Sequence, residues 1–251
     1  MEQKFDKHAG GAYDKRYVEP QKWFYDTMAR QLGRFPTAAL VLDVGSGPGS
    51  LAKLADESGH RISLLGVEPS DLVQDGEALA RELEERQSGV RYAPKRGSIE
   101  ESQRLHDLKP GSLDGIVLMR SVHEIAISRG RQRFVEDMRK LSSNLKKDGL
   151  IVVGDPTYRT DIMRNQTGLY DEEVRVAIEI AEETLGHSHT VNEFIEPHDV
   201  IKLLSEDCGC HSVEFFNTLP QYALIEKIRE KGLEVERSPV EMYVLTARKS
   251  E

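Results

Sequence analysis

The sequence is poor in cysteine, in tryptophan and in basic excess, and two of these shortages remove a class of protein. Its two cysteines, Cys208 and Cys210, stand one residue apart, too close for an ordinary bridge, so a disulfide-stapled scaffold is excluded. Reduced, partly buried thiols after a helix are expected instead. A net charge of −9 leaves no overall basic face and argues against a nucleic-acid partner. The one basic concentration, Arg129 to Lys147, reads as the wet side of an amphipathic helix. No apolar run approaches the ~20 residues that a bilayer crossing needs. Met1 to Asp6 shows no apolar signal core, so a cytoplasmic protein with no membrane partner is expected. His187 and His189, with His198 later, lack a clear further ligand, and no metal is expected. Internal repeats and low-complexity segments are also missing.

What is present fits one α/β domain. A chain of 251 residues, 31% charged and 38% hydrophobic, is long enough to bury a sizeable core. Its organising stretch runs from Leu40 to Gly49. A short apolar run carries Asp43 near its end, and Gly45, Gly47 and Gly49 follow at every second position. Leu51, Leu54 and Ala55 then recur at helical spacing. The pattern predicts a buried strand, a tight glycine turn and a helix. Glycine lets a ligand lie against bare backbone, and the helix start offers unpaired N–H groups to a negative group. Dinucleotide sites of this design prefer G-x-G-x-x-G. Here Ser50 holds the last glycine position, and Asp43 suits a cationic ligand better than a pyrophosphate.

Val41 to Gly49, including Ser46, resembles the first motif of the class I S-adenosylmethionine (SAM) methyltransferases. The resemblance runs in order through about residues 38–155. It implies a Rossmann-like seven-stranded sheet of order 3-2-1-4-5-7-6, with strand 7 antiparallel and helices on both faces. It implies SAM as cofactor and S-adenosylhomocysteine (SAH) as product; a small molecule is the expected methyl acceptor, the acidic balance speaking against RNA. Asp43, Gly45, Ser46, Gly47 and Gly49 would surround the methionine part of the cofactor. Glu68, closing the second strand (Arg61 to Val67) beside Pro69, would hold the ribose, since a carboxylate accepts two hydrogen bonds. After a third strand at Val90 to Ala93, Ser98 and Ile99 would meet the adenine. Met119 and Arg120, at the end of the fourth strand, would lie beneath the site.

His123 follows that strand end, where such sheets bind ligands. It is the candidate base for an acceptor that must lose a proton; its other reading is a histidine that orders the loop. Glu124 either orients it or faces water. Phe134, Met138, Leu141 and Leu145 predict a helix, Lys146 to Gly149 a turn, and Leu150 to Pro156 the fifth strand. Asp155 ends that strand and either lines the pocket or serves the turn before Pro156.

Four stretches are expected within the one domain: an N-terminal helical cap (1–35), the cofactor-binding core (36–156), a helical insertion over the substrate site (157–195) and a C-terminal helix–strand closure (196–251). The aromatic residues Tyr13, Tyr17 and Trp23 either anchor the first helix or form a lid. Tyr158 and Arg159 are placed at the substrate by position alone. Helices are further predicted near 174–185, after Pro197 and near 222–228. Strands six and seven are expected at His211 to Phe216 and Val240 to Ala247. Competing functions are an NAD-dependent oxidoreductase, a non-catalytic SAM-binding or interaction module, and methylation of RNA or protein.

Overall fold

The structure, a computed structural model, describes residues 22–158, 196–220, 229–230, 232 and 240–250. Residues of the central strands are buried alternately on two faces, which defines two apolar layers. In β1 (Ala39–Val44), Leu42 and Val44 pack on one face, and Ala39 and Val41 on the other. The same division holds in β4 (Leu113–Met119), where Ile116 and Leu118 oppose Val117 and Met119. It holds again in β5 (Leu145–Tyr158), where Ile151 and Val153 oppose Leu150 and Val152. Strands buried on both faces read as continuous apolar runs because each residue has a core to enter.

Helices cover both layers. On one face lie α1 (Lys22–Leu32), α2 (Ser50–Glu57) and α3 (Val73–Glu85). On the other lie α5 (Val122–Arg129) and α6 (Arg131–Ser142), while α4 is a single turn at Ser102–Leu105. α1 docks through Phe24, Tyr25, Met28 and Leu32. It sits so close to β5 that a Cβ at Gly154 would come within 2.7 Å of the Met28 sulfur and 2.8 Å of the Phe24 ring. α7 (Pro197–Lys202) begins at a proline, as predicted, and buries Val200. Cys208 and Cys210 are buried free thiols.

The sheet has seven strands in the order β3-β2-β1-β4-β5-β7-β6, with β2 at Ile62–Glu68, β3 at Val90–Arg96, β6 at Cys210–Pro220 and β7 at Val240–Lys249. The pairs from β3 to β5 are parallel, and β7 runs antiparallel to both its neighbours. This is the expected architecture. No described helix is long and apolar enough to cross a membrane.

Strand boundaries differ from expectation by one to five residues, with β6 running Cys210–Pro220, β7 running to Lys249 and β5 running to Tyr158, and the start of β5 and the end of β3 show why. α6 ends at Ser142, and Leu145 already lies in β5 opposite Leu113. Leu145 fits the helical spacing from Leu141, but its burial is earned as a strand residue. The expected turn at Lys146 to Gly149 is an irregularity inside β5, with Asp148 at φ 60° and a register shift between Leu113 and Gly115. β3 continues past Ala93 to Arg96 because its backbone pairs with Val67 and Glu68. The side chains of Lys95 and Arg96 are exposed, so hydrophobic patterning carried no sign of them.

The expected helices near 174–185 and 222–228 lie outside the described residues, as do Tyr13, Tyr17, Arg159, His187 and His189. Trp23 and Tyr158 are described only in their backbone, on α1 and at the end of β5.

Candidate active site

The glycine turn is held from the neighbouring strand. Gly45 and Ser46 donate their N–H groups to the Val67 carbonyl at 2.9 and 3.1 Å. Gly47 donates to Glu68 Oε2 at 2.9 Å, so the acid that closes β2 grips the turn that follows β1. Glu68 Oε1 accepts from the Ser70 N–H at 3.0 Å and the Ser70 hydroxyl at 2.6 Å. Glycine is required at two of these positions for space. A Cβ on Gly45 would sit 2.5 Å from Ser121 Cβ, at the end of β4. One on Gly49 would sit 2.8 Å from both Leu79 and Tyr92.

Above this turn, at the C-terminal ends of β1, β2 and β4, lies a cavity of about 380 Å³. It falls within the range of small-molecule sites, roughly 300–1,000 Å³. Gly45, Gly47, Glu68, Pro69, Ser98, Ile99, Met119, Arg120 and His123 all line it, brought together from four separate stretches of sequence. Val44, Val67, Leu72 and Ile125 complete its apolar wall. Ser70, Ser121, Glu124, Ser128 and Arg129 add polar groups that sequence reading did not assign to the cofactor. Ser98 is engaged locally, with its N–H and hydroxyl on Glu101 Oε2 at 3.0 and 3.3 Å in a capping box.

Three residues expected in the cofactor set are not part of the cavity wall. Gly49 is a packing glycine, tight against Leu79 and Tyr92. Ser46 and Asp43 are buried within the fold below the turn, 5% and 1% exposed. Asp43 Oδ2 has no hydrogen-bond partner among the described residues. Burial first, and the nearby Glu68 second, push the Asp43 carboxyl up to about 8. Strand register puts Asp43 inside the sheet, the turn and the start of α2 bury Ser46 and Gly49, and a motif read along the chain does not distinguish the wall of a cavity from its support.

His123 lies in the first turn of α5, buried and beside Asp155, the β5 residue just past the last one paired with β4. Its backbone N–H donates to Asp155 Oδ2 at 3.0 Å, and its ring Nδ1 lies 3.0 Å from both oxygens of that carboxylate. Nε2 lies 3.6 Å from Glu124 Oε1. Burial pulls the imidazole down, but Asp155 and then Glu124 outweigh it and hold the ring up at about 9. Arg120, just before, has its backbone at φ 59° and donates its N–H to the Gly154 carbonyl at 2.6 Å. Arg129 closes the far edge, bonded to Glu100 at 2.6 Å and Asp137 at 2.7 Å. Of the basic stretch it begins, Arg139 and Lys146 are also paired with acids, which leaves it a solvated, compensated face. No group of metal ligands occurs among the described residues.

A family model described as a methyltransferase domain matches residues 15–205. No curated protein matches the chain. Among solved structures, a SAM-dependent methyltransferase from Archaeoglobus fulgidus is similar with a TM-score of 0.60 and 18% identity, covering 94% of this chain and 97% of that one. The YcgJ protein of Bacillus subtilis gives a TM-score of 0.59 at 14% identity, over 92% and 100%. Phosphoethanolamine N-methyltransferase 2 of Haemonchus contortus, in complex with SAM, gives 0.62 at 13% identity, over 99% of this chain and 60% of that one.

Proposed function

The chain belongs to the methyltransferase family, and we propose that it transfers a methyl group from SAM to a small-molecule acceptor. The observation that carries this reading is the junction of Glu68 with the glycine turn at the wall of the cavity. Glu68 Oε1 is taken up by two hydrogen bonds from Ser70, whereas Oε2 accepts only the Gly47 N–H and keeps a lone pair for a sugar hydroxyl. Its position is therefore set before any ligand arrives. Gly45 and Gly47 present bare backbone to the methionine part, and Pro69 stands beside the ribose. Ile99, with Val67 and Leu72 nearby, forms an apolar slot of the kind an adenine ring fills. Ser98 borders that slot as a neutral partner, and Met119 and Arg120 lie below.

When bound, SAM supplies a methyl group already activated by a positive sulfonium. The chain's own task is to align an acceptor in line with it and to keep water out. His123 is the group placed to handle the acceptor's proton. Tyr13, Tyr17, Trp23, Tyr158 and Arg159 are proposed to cover the acceptor. An acidic chain with a cavity of this size favours a small acceptor over a nucleic acid.

Titration calorimetry with SAH tests the reading. Binding at one site per chain is expected. A folded protein that binds neither SAM nor SAH would reject it, and binding without transfer to any acceptor in a broad panel would leave a SAM-binding module.

A further inference from the structure

Asp155 is a buried acid at the reacting end of the cavity to which the methyl-transfer scheme gives no role. It is 0% exposed, and both its oxygens are committed to His123, which is 3% exposed. A carboxylate only accepts hydrogen bonds, so the proton between them belongs to Nδ1. The neutral ring then carries its lone pair on Nε2, the logic by which a buried aspartate sets the tautomer of a general-base histidine. The charged and titratable groups around the pair are Glu124 on α5 and Tyr243 on β7, the latter raised by burial and then by Asp155 and Glu196. In the resting protein these surroundings keep the ring protonated at neutral pH, titrating at about 9. A base must first lose that proton.

We propose that Asp155 is a positioning residue that holds the Nδ1 proton of His123, and that His123 gives up its Nε2 proton when a sulfonium enters the cavity it lines. This rests on SAM being the donor. The N–H bond breaks, its electron pair stays on Nε2 and the proton passes to solvent. Nε2 is then bare and takes the proton of the acceptor as the methyl group moves. Where the proton has been released, His123 ends the transfer as an imidazolium beside a neutral thioether product, so the ring regains its charge only as the sulfonium loses its own.

The size of the effect follows from Coulomb's law. A unit charge about 10 Å away, at an effective dielectric of about 20, lowers the pKa of a cation by roughly one. For His123 that means from about 9 toward about 8, which releases about half a proton at pH 8.5.

SAM and SAH differ in the charge on sulfur, so their comparison isolates the effect. Calorimetric titrations of each ligand at pH 8.5, in two buffers of different ionisation enthalpy, count the protons released. SAM is expected to release about half a proton more than SAH. The excess should vanish in His123→Gln. Equal release by the two ligands, or an excess that survives in His123→Gln, would overturn the proposal while leaving SAM binding intact. If neither ligand binds, the donor assignment fails and the proposal with it. For Asp155, the His123 ring is followed by NMR in Asp155→Asn. Its titration is expected to fall by more than one pH unit, and Asp155→Glu, which keeps the carboxylate, should recover part of that fall. An unchanged titration in Asp155→Asn would overturn the positioning role. Should that variant not fold, the comparison of SAM with SAH on the native chain still decides the proton release.

Discussion

The Glu68 carboxylate and the Gly47 amide hold each other across the junction of β1 and β2, with Oε2 accepting the Gly47 N–H at 2.9 Å. The partners are separated by a turn and a helix in sequence, yet both line the same cavity. Whatever Glu68 contributes to a ligand, it also contributes to the shape of the turn.

Replacing Glu68 should therefore have two effects. Glu68→Ala is expected to weaken SAH binding by about 1.5–3 kcal/mol, the usual worth of a hydrogen bond to a charged group. It should also lower the melting temperature, because the Gly47 and Ser70 N–H groups lose their acceptor. Calorimetry and a thermal melt on one preparation separate the two. An unchanged dissociation constant would remove Glu68 from the ribose site.

The glycines of the turn should respond unequally to alanine. At Gly49 a Cβ would meet Leu79 and Tyr92 at 2.8 Å, whereas at Gly47 nothing lies within 4 Å. Both have positive φ, so each pays about 1 kcal/mol for the left-handed backbone, and overpacking adds a further ~1–3 kcal/mol at Gly49 alone. Chemical denaturation is expected to rank Gly49→Ala well below Gly47→Ala in stability. The reverse order would mean that Gly49 is not packed as described.

Asp43 should make the protein less stable as pH rises. Its carboxyl is pushed up to about 8 in the fold, against 3.8 for a freely solvated aspartate, chiefly through burial. Between those values the unfolded chain is ionised there and the folded chain is not, so stability is lost from about pH 4 up to about pH 8. Asp43→Asn should shrink the fall in melting temperature between pH 5 and 8 by about 3–10 °C. His123 acts with the same sign between 6.5 and about 9, so some slope will remain. A slope identical to that of the native chain would show that Asp43 is ionised in the fold.

Removing His123 should separate binding from chemistry. With the acceptor in hand, His123→Ala is expected to lower kcat by about 10²–10⁴-fold, the usual share of a general base, while SAH affinity changes little. Rate and calorimetry together check this. A normal rate at neutral pH would leave His123 as a loop-ordering residue.

Much of the site was legible because its signals are local. The glycine turn, the acid after the second strand and the apolar strand cores are each written in a few consecutive residues. Period-two burial on both faces explains why β1, β4 and β5 could be read as central strands. Leu145 was misread because helical spacing and strand burial both accommodate it. The exposed end of β3 was missed because backbone pairing, not side-chain burial, extends it.

By itself the sequence determined the order of the strands' chemistry: which segments are apolar enough to be central, where the chain must turn on glycine, and which acid follows each strand. Those are properties of neighbouring residues, and local sterics and hydrophobicity suffice to specify them. Only the tertiary structure decided which of those residues face the cavity and which support it. Gly45 and Gly49 belong to one motif, yet Gly45 lines the cavity and Gly49 is packed against Leu79 and Tyr92. The partner of His123, Asp155, lies 32 residues away in the chain. Two parallel strands, β4 and β5, bring their C-terminal ends side by side, and hydrogen-bond register places that carboxylate against that ring.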